Sequence, residues 1–198
     1  MKLRKAVLLI LICLFLLLKF KRSHCGKMEN TSFLKNNDTI LIKLCDDKNT
    51  CAYMNFSDNT AEMYLKKHEF VITKDHTSTY KDKYLHYNEP LNLYFLENKK
   101  KKWFTVDING NLISKNSVSK KDRQQFFFKP STQNQKNGEV IDSNYAVYIF
   151  SECGLFDCKA VILDGIKYKD IKDIQEIVAS NFTVDKSLDA IPFHVAHT

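Results

Sequence analysis

Glycine and proline are scarce in this chain of 198 residues, which contains 5 Gly and 3 Pro. Loops that cradle phosphate groups depend on closely spaced glycines, so a nucleotide-binding loop is not expected. The sequence also lacks Gly-x-Ser-x-Gly, Gly-x-Gly-x-x-Gly and His-Glu-x-x-His motifs, which mark hydrolase, dinucleotide and metalloprotease sites. The pattern therefore favours a non-enzymatic protein without a cofactor.

A second long apolar run is also missing, which argues against a transmembrane helix outside the N-terminus. The single run, residues 7–18, is 12 residues long and is preceded by Lys2, Arg4 and Lys5. It is shorter than a bilayer span and fits a secretory signal cleaved near Cys25. The alternative is an uncleaved anchor stopped by the following basic residues. We predict a signal peptide over 1–25, a flexible leader over 26–39, and a secreted protein without membrane insertion after cleavage.

Four cysteines remain after removal of the signal, namely Cys45, Cys51, Cys153 and Cys158. An even number in a secreted chain predicts disulfide bonds, and four cysteines allow three pairings. The local option pairs Cys45 with Cys51 and Cys153 with Cys158. A zinc site is the other interpretation, but the spacing has no close Cys-x-x-Cys, so no metal is expected.

Asn-x-Ser/Thr triplets agree with passage through the secretory pathway. They predict N-glycosylation at Asn30, Asn37, Asn55 and Asn181.

Short runs of four to six apolar residues, rich in Ile, Val, Phe and Tyr, fill residues 40–198. Turn-forming stretches such as "DDKN", "SDNT", "NGN" and "LDG" separate them, which predicts an all-β domain. The segment "YKDIKDIQEIVAS" differs, because its Ile residues recur at helical spacing. We expect one short helix there, near the C-terminus.

A weak threefold repeat is visible, with units beginning at Ile42, Leu93 and Val147. Each unit contains an apolar strand, a polar loop, a second apolar strand and a turn based on Asp or Asn. Three such units predict a β-trefoil, a small closed barrel with a hairpin cap. The Asn-Gly and Asp-Gly pairs of the later two units suit tight hairpins.

The stretch "KKKWFTVDINGNLISKNSVSKKDRQQFFFKP…NYAVYIF" resembles the trefoil cytokines, and fibroblast growth factors especially. The resemblance covers about residues 93–150. It implies a secreted β-trefoil. The flanks are less alike, and the helix-like residues 169–179 depart from the pattern, so no receptor-binding residues are carried over.

Positive charge is concentrated in one segment of the predicted mature chain. Of 30 basic residues six lie in the signal, which leaves 24 against 23 acidic residues, a net charge of +1. Residues 99–136 carry 10 basic and 2 acidic side chains, whereas the segments on either side are net acidic. A nearly neutral protein with one positive segment indicates a localised anionic partner.

Two basic clusters lie in this segment. The first comprises Lys99, Lys100, Lys101 and Lys102, in a predicted hairpin loop; the second comprises Lys120, Lys121 and Arg123. The second cluster resembles a simple heparin-binding consensus, and clustered cations gain affinity for sulfated chains by counterion release. Arg123 adds a bidentate bond that Lys cannot form, and Lys115 and Lys129 are near enough to widen the patch. The alternative is that both clusters are merely solvated loops.

The signal peptide, the small size and the heparin-type motif together resemble microsporidian spore wall proteins. This resemblance implies adherence to glycosaminoglycans of host cells. Sulfated glycosaminoglycan, or another anionic polysaccharide, is therefore the expected partner. Nucleic acid would match the positive charge of residues 99–136, but it is not expected as a partner of a secreted protein. The alternative is a cytokine-like effector, such as a virus-encoded one, that binds a host surface protein through aromatic anchors.

Overall fold

The computed structural model describes residues 32–116, 118–120, 123–151, 159–186 and 189–198. These residues form an all-β fold of antiparallel strands, which confirms the prediction of an all-β domain. The strands are β1 (Thr39–Cys45), β2 (Cys51–Ser57), β3 (Thr60–Tyr64), β4 (Phe70–Lys74), β5 (Leu91–Glu97), β6 (Lys100–Val106), β7 (Leu112–Asn116), β8 (Phe126–Pro130), β9 (Ala146–Ser151), β10 (Lys159–Leu163), β11 (Phe182–Asp185) and β12 (Pro192–His197).

Six strands pair in a closed ring. β1 pairs with β4 and β12, β5 pairs with β4 and β8, and β9 pairs with β8 and β12. The other six strands form three hairpins, β2–β3, β6–β7 and β10–β11. Closure of the ring gives each of its strands a partner on both sides, which removes exposed sheet edges.

Alternation between core and surface explains why the apolar runs fold as strands. In β8, Phe126 and Phe128 are fully buried, whereas Phe127 between them is only half-buried, as expected for three consecutive Phe in a strand. The rings of Phe70 and Phe104 meet edge to face with centroids 4.9 Å apart. Burial of each such ring contributes about 2–3 kcal/mol relative to exposure, so these aromatics dominate the core.

The β6–β7 turn follows the Asn-Gly prediction. Gly110 has φ of +88°, and a Cβ there would lie 3.3 Å from the carbonyl oxygen of Val184, so glycine is favoured for two reasons. The carboxylate of Asp107 accepts the backbone N–H groups of Asn109 and Asn111, each at 2.8 Å. These bonds fix the turn that follows β6, at the other end of the strand from Lys100.

The prediction of one short helix near the C-terminus was wrong in the type and the number of helices. Two short 3₁₀-helices, Tyr168–Asp170 and Ile174–Ile177, replace a single longer helix. The Ile residues recur every three positions, which also suits the three residues per turn of a 3₁₀-helix. Ile174 and Ile177 are buried in the core, and the Asp173 carboxylate accepts the N–H of Gln175 at the start of the second helix.

Part of the predicted flexible leader packs against the domain. Leu34 is fully buried, and its N–H donates to the carbonyl of Ile141 at 2.9 Å. Phe33 and Lys35 form isolated β-bridges with Asp142 and Tyr84. The folded unit therefore includes Ser32 onward and begins before residue 40.

A disulfide joins Cys45 and Cys51, which confirms the local pairing predicted for these two cysteines. They lie opposite each other where β1 turns into β2. Cys153 and Cys158 lie outside the described residues, as do Asn30 and the predicted signal peptide. Within the described part of the chain, no helix is long and apolar enough to span a membrane.

Candidate functional site

Strands β5, β6 and β7 place two aromatic rings and a lysine in one row. Tyr94 lies opposite Trp103, and Trp103 lies opposite Lys115. Residues directly opposite on neighbouring strands share a sheet face. The centroids of the Tyr94 and Trp103 rings are 4.7 Å apart, and Trp103 is only 4% exposed. This face therefore has an aromatic layer beneath its surface side chains.

Two cations cover this aromatic layer. The Lys101 Nζ lies 4.4 Å from the ring centroid of Tyr94 and 5.6 Å from that of Trp103. The Arg123 Cζ lies 3.8 Å from the Trp103 ring centroid, so the guanidinium is stacked on the indole. A cation over an aromatic face gains roughly 0.5–1 kcal/mol at an exposed site, which restricts both side chains without neutralising them.

A groove of ≈ 350 Å³ opens beside the stacked pair. It is lined by Lys100, Lys101, Trp103, Asn116, Val118 and Arg123, and is called the basic groove below. Lys100 and Lys101 belong to the first predicted cluster, and Arg123 belongs to the second. The structure therefore brings members of both clusters to one place, although they are about twenty positions apart in sequence.

One acid lies near the cations of the basic groove: Glu97 is opposite Lys100, but its carboxylate pairs with Lys102 at 3.2 Å. Lys100, Lys101 and Arg123 form no ion pair or hydrogen bond with another described side chain, and the Nε of Arg123 is buried without a hydrogen-bond partner there. Cations close together without intervening carboxylates raise the local positive potential. The groove can therefore accept a multivalent anion.

Two lysines of the first cluster do not line the groove. Lys99 lies in the β5–β6 turn, is exposed and has φ of +63°. Lys102 has a side chain only 11% exposed, paired with Glu97 at 3.2 Å and bonded to the Oδ1 of Asn59 at 2.8 Å. The first cluster therefore lies mainly in a strand rather than a loop, and the bonds of Lys102 to Glu97 and Asn59 set it apart from Lys100 and Lys101.

The second cluster is described in part. Lys120 is exposed and lies two residues beyond Val118 of the groove. Lys121 lies outside the described residues. Lys115 is exposed in the same row as Trp103, so it extends the positive face. Lys129 lies over the ring of Phe150 at 4.4 Å, and burial lowers the pKa of its amine.

Sequence reasoning did not assign Tyr94, Trp103, Asn116 or Val118 to a site. One signal was present, because Lys101 and Trp103 are two positions apart in a strand and must share a face. The pairing of Tyr94 with Trp103 needed the β5–β6 register, and the stacking of Arg123 needed the tertiary fold.

A second polar cluster lies in the long β4–β5 loop. The Lys74 ammonium contacts the carbonyls of Tyr80 and Asp82 and a carboxylate oxygen of Asp82, at 3.0–3.2 Å. The ring nitrogens of His86 meet the carbonyl of Gly138 and the carboxylate of Asp82, each at 2.9 Å. Burial acts to raise the pKa of Asp82, but hydrogen bonds from His86 and Lys74 outweigh it and lower the pKa.

This second cluster is closed by its own contacts. The side chain of Glu89 is fully buried, with its oxygens accepting from the Ser78 hydroxyl and the His86 N–H, each at 2.6 Å. Throughout the described residues, no group of three or more His, Cys, Asp or Glu side chains is placed to hold a metal ion. The cluster's evident physical effect is to order the loop.

Three of the predicted glycosylation acceptors are described. Asn37 and Asn181 are exposed, whereas Asn55 is half-buried in β2 with its Oδ1 accepting the N–H of Phe56. Asn55 and Asn181 both pair with Glu62, so they flank β3 on opposite sides. Glycosylation at these positions stays a prediction.

No family model and no curated protein matches the chain. Among solved structures, a protein from Caenorhabditis elegans, described as having unknown function, is similar with a TM-score of 0.50. The alignment covers 85% of this chain and 98% of that chain at 8% sequence identity. At this identity the likeness concerns the fold alone, and it assigns no activity to the basic groove.

Proposed function

We propose that this chain is a secreted, non-enzymatic protein that binds a sulfated glycosaminoglycan, or another anionic polysaccharide, through the basic groove. Its role would be adherence to host cells, as a spore wall or surface component. The observation that carries the proposal is that Lys101 and Arg123 both lie over the Trp103 ring, while Lys100 lines the same groove.

We also propose that the fold is a β-trefoil of the cytokine type. The closed ring of β1, β4, β5, β8, β9 and β12 supports this, together with one hairpin from each third of the chain. The three hairpins follow β1, β5 and β9 respectively, which agrees with units beginning at Ile42, Leu93 and Val147. Each unit then contributes two strands to the ring and two to a hairpin.

The chemistry of the groove suits a sulfated sugar better than a small inorganic anion. Sulfate groups are permanent anions that pair with ammonium groups, and a guanidinium can bind one with two parallel hydrogen bonds. Val118 and the edge of the aromatic layer add apolar surface that can contact the C–H faces of a sugar ring. Release of counterions from the polymer supplies a salt-dependent part of the affinity.

The proposal is tested with a heparin-derived octasaccharide, and binding is followed by the fluorescence of Trp103, the only Trp of the chain. In the variant Lys100→Ala/Lys101→Ala we expect affinity to fall roughly tenfold or more. The slope of log affinity against log salt should become shallower by about one to two units.

The matched control is Lys48→Ala/Lys169→Ala, which removes the same charge from exposed positions outside the groove. This control should change affinity less than about twofold, because separated surface charges are screened beyond about 10 Å at 0.1 M salt. Equal losses in the two double variants would contradict a localised site. No measurable binding by the unmodified protein would overturn the proposal itself.

A protein receptor is the second candidate, favoured by one observation. Leu96 is 61% exposed and lies opposite Lys101, beside the Tyr94 and Trp103 rings. Trp, Tyr and Arg with an adjacent exposed apolar side chain are typical of the anchors in protein interfaces. If a receptor binds here, Leu96→Asp should abolish binding while added salt has little effect, the reverse of the result expected for a polysaccharide.

A further inference from the structure

The segment that carries Arg123 is fixed from beneath by buried polar groups. Asn92, at the start of β5, donates from its Nδ2 to the carbonyl of Gln124 at 3.0 Å. The Gln124 side chain donates to the hydroxyl of Ser151 at 2.9 Å. These two bonds tie the residue next to Arg123 to β5 on one side and to β9 on the other.

Gln125 adds a third attachment, to the β4–β5 loop. Its Nε2 donates to the carboxylate of Asp75 and to the hydroxyl of Thr77, each at 3.0 Å. Burial acts to raise the pKa of Asp75, but hydrogen bonds, those from Thr77 and Gln125 among them, outweigh it and lower the pKa. Asp75 therefore stays ionised near neutral pH, so the bond from Gln125 is charge-assisted.

The three groups at the base of these attachments are shielded from water. Asn92 is 1% exposed, Asp75 is 4% exposed and Ser151 is fully buried. A buried amide that loses its partner cannot exchange it for water, so these bonds hold the segment in one geometry.

Few interactions of its own side chain fix the position of Arg123. Its guanidinium is stacked on Trp103, and its Nε has no hydrogen-bond partner among the described residues. A cation–π contact alone does not define one orientation of a long side chain. The bond to the Gln124 carbonyl and the side-chain bonds of Gln124 and Gln125 therefore supply most of the constraint.

We propose that Asn92 is a positioning residue for the basic groove, because its amide holds the Gln124 carbonyl and thereby keeps Arg123 against Trp103. The effect on polysaccharide binding rests on the proposed function. The effect on the contact between Arg123 and Trp103 does not, and it can be measured without any ligand.

The first measurement uses quenching of Trp103 fluorescence by acrylamide in the absence of ligand. Arg123→Ala defines the signal of the uncovered indole. We expect Asn92→Leu, which has similar size but no amide, to raise quenching towards that of Arg123→Ala. The matched control is Ser114→Ala, a buried polar residue on β7 whose hydroxyl bonds Asn59 and not this segment. Quenching in the control should stay at the unmodified level.

The second measurement is a double-mutant cycle with the heparin-derived octasaccharide. Asn92→Leu and Arg123→Ala should each lower affinity roughly tenfold, and the double variant should lose little more than Arg123→Ala alone. A purely structural role for Asn92 would instead make the losses add. Additive losses, or quenching unchanged in Asn92→Leu, would overturn the inference.

Near-ultraviolet circular dichroism checks that each variant is folded. If Asn92→Leu does not fold, Asn92→Ser replaces it, because this smaller polar side chain also lacks the amide that donates to the Gln124 carbonyl. The same quenching and cycle outcomes then apply, with wild-type quenching counting against the inference. If the unmodified protein binds no octasaccharide, the proposed function fails and the quenching result alone decides the positioning of Arg123.

Discussion

At the scale of single residues, two titratable side chains outside the basic groove, Lys74 and His68, are controlled in different ways: one by oxygen atoms around its charge and the other by burial. Lys74 illustrates the first case, because its side chain is 10% exposed and its ammonium is surrounded by oxygens of Tyr80, Asp82 and Glu89. His68 illustrates the second, because its half-buried ring lies 4.9 Å from Phe70 and 4.8 Å from Phe95. Each of the two residues leads to a prediction about the stability of the protein.

Lys74→Met should lower the free energy of unfolding by about 2–4 kcal/mol. The variant keeps most of the side-chain volume but leaves the buried Glu89 carboxylate without a nearby cation. Urea denaturation followed by Trp103 fluorescence measures the change. Lys48→Met, at an exposed position, should change stability by no more than about 0.5 kcal/mol, and an equal loss in both variants would contradict the role given to Lys74.

Stability should fall as the pH is lowered from about 7.5 to 5.5 because burial lowers the pKa of His68. The unfolded chain has the ordinary His pKa of about 6.5, so it binds protons before the folded chain does. The stabilisation by neutral His68 is therefore present above this value and is lost below it. Burial also lowers the pKa of His194, which acts in the same direction.

The prediction is checked by urea midpoints across this pH range. His68→Gln should make the midpoint less dependent on pH, and His68→Gln/His194→Gln should reduce the dependence further. The Asp groups with lowered pKa titrate at lower pH, so they do not contribute in this window. A slope that is the same in the unmodified and double-variant proteins would show that other groups are responsible.

At the scale of elements, the β5–β6 hairpin decides which lysines reach the groove. Asn98 and Lys99 both have positive φ, as the two central residues of a tight hairpin turn do. Strand β6 therefore begins at Lys100. From there, Lys100 and Lys101 line the groove, whereas Lys102, which alternation places on the same sheet face as Lys100, pairs with Glu97. Four consecutive lysines therefore have three different environments.

Lys99→Gly should raise the free energy of unfolding by up to about 1 kcal/mol, because glycine adopts φ of +63° without steric cost. Affinity for the octasaccharide should change less than about twofold, since Lys99 does not line the groove. The matched control is Lys100→Gly, which should lower stability and weaken binding. Thermal denaturation and fluorescence titration measure the two effects, and a stronger loss of binding in Lys99→Gly than in Lys100→Gly would contradict the assignment.

At the scale of the whole molecule, positive charge is concentrated in one part of a chain that is nearly neutral after the predicted cleavage. The basic residues of 99–136 come from neighbouring strands and from the segment before β8, so the fold places several of them on one face. Such a face speeds encounter with a polyanion and makes binding depend on salt. This is why the comparison of affinity at several salt concentrations is the central test of the proposed function.

Local patterns in the sequence determined the fold class, the Asn-Gly turn at Gly110, the single outward ring of Phe127 and the disulfide option between Cys45 and Cys51. Each depends on residues within a few positions of one another, where strand alternation and turn geometry act directly. The tertiary structure alone decided that Arg123 stacks on Trp103, that Lys102 turns to Glu97 and Asn59, and that Asn92 lies beneath residue 124. The contacts of Arg123 with Trp103, Asn92 with Gln124 and Lys102 with Asn59 join residues 20 to 43 positions apart, and their geometry is fixed by strand register and ring closure, which local sequence patterns do not determine.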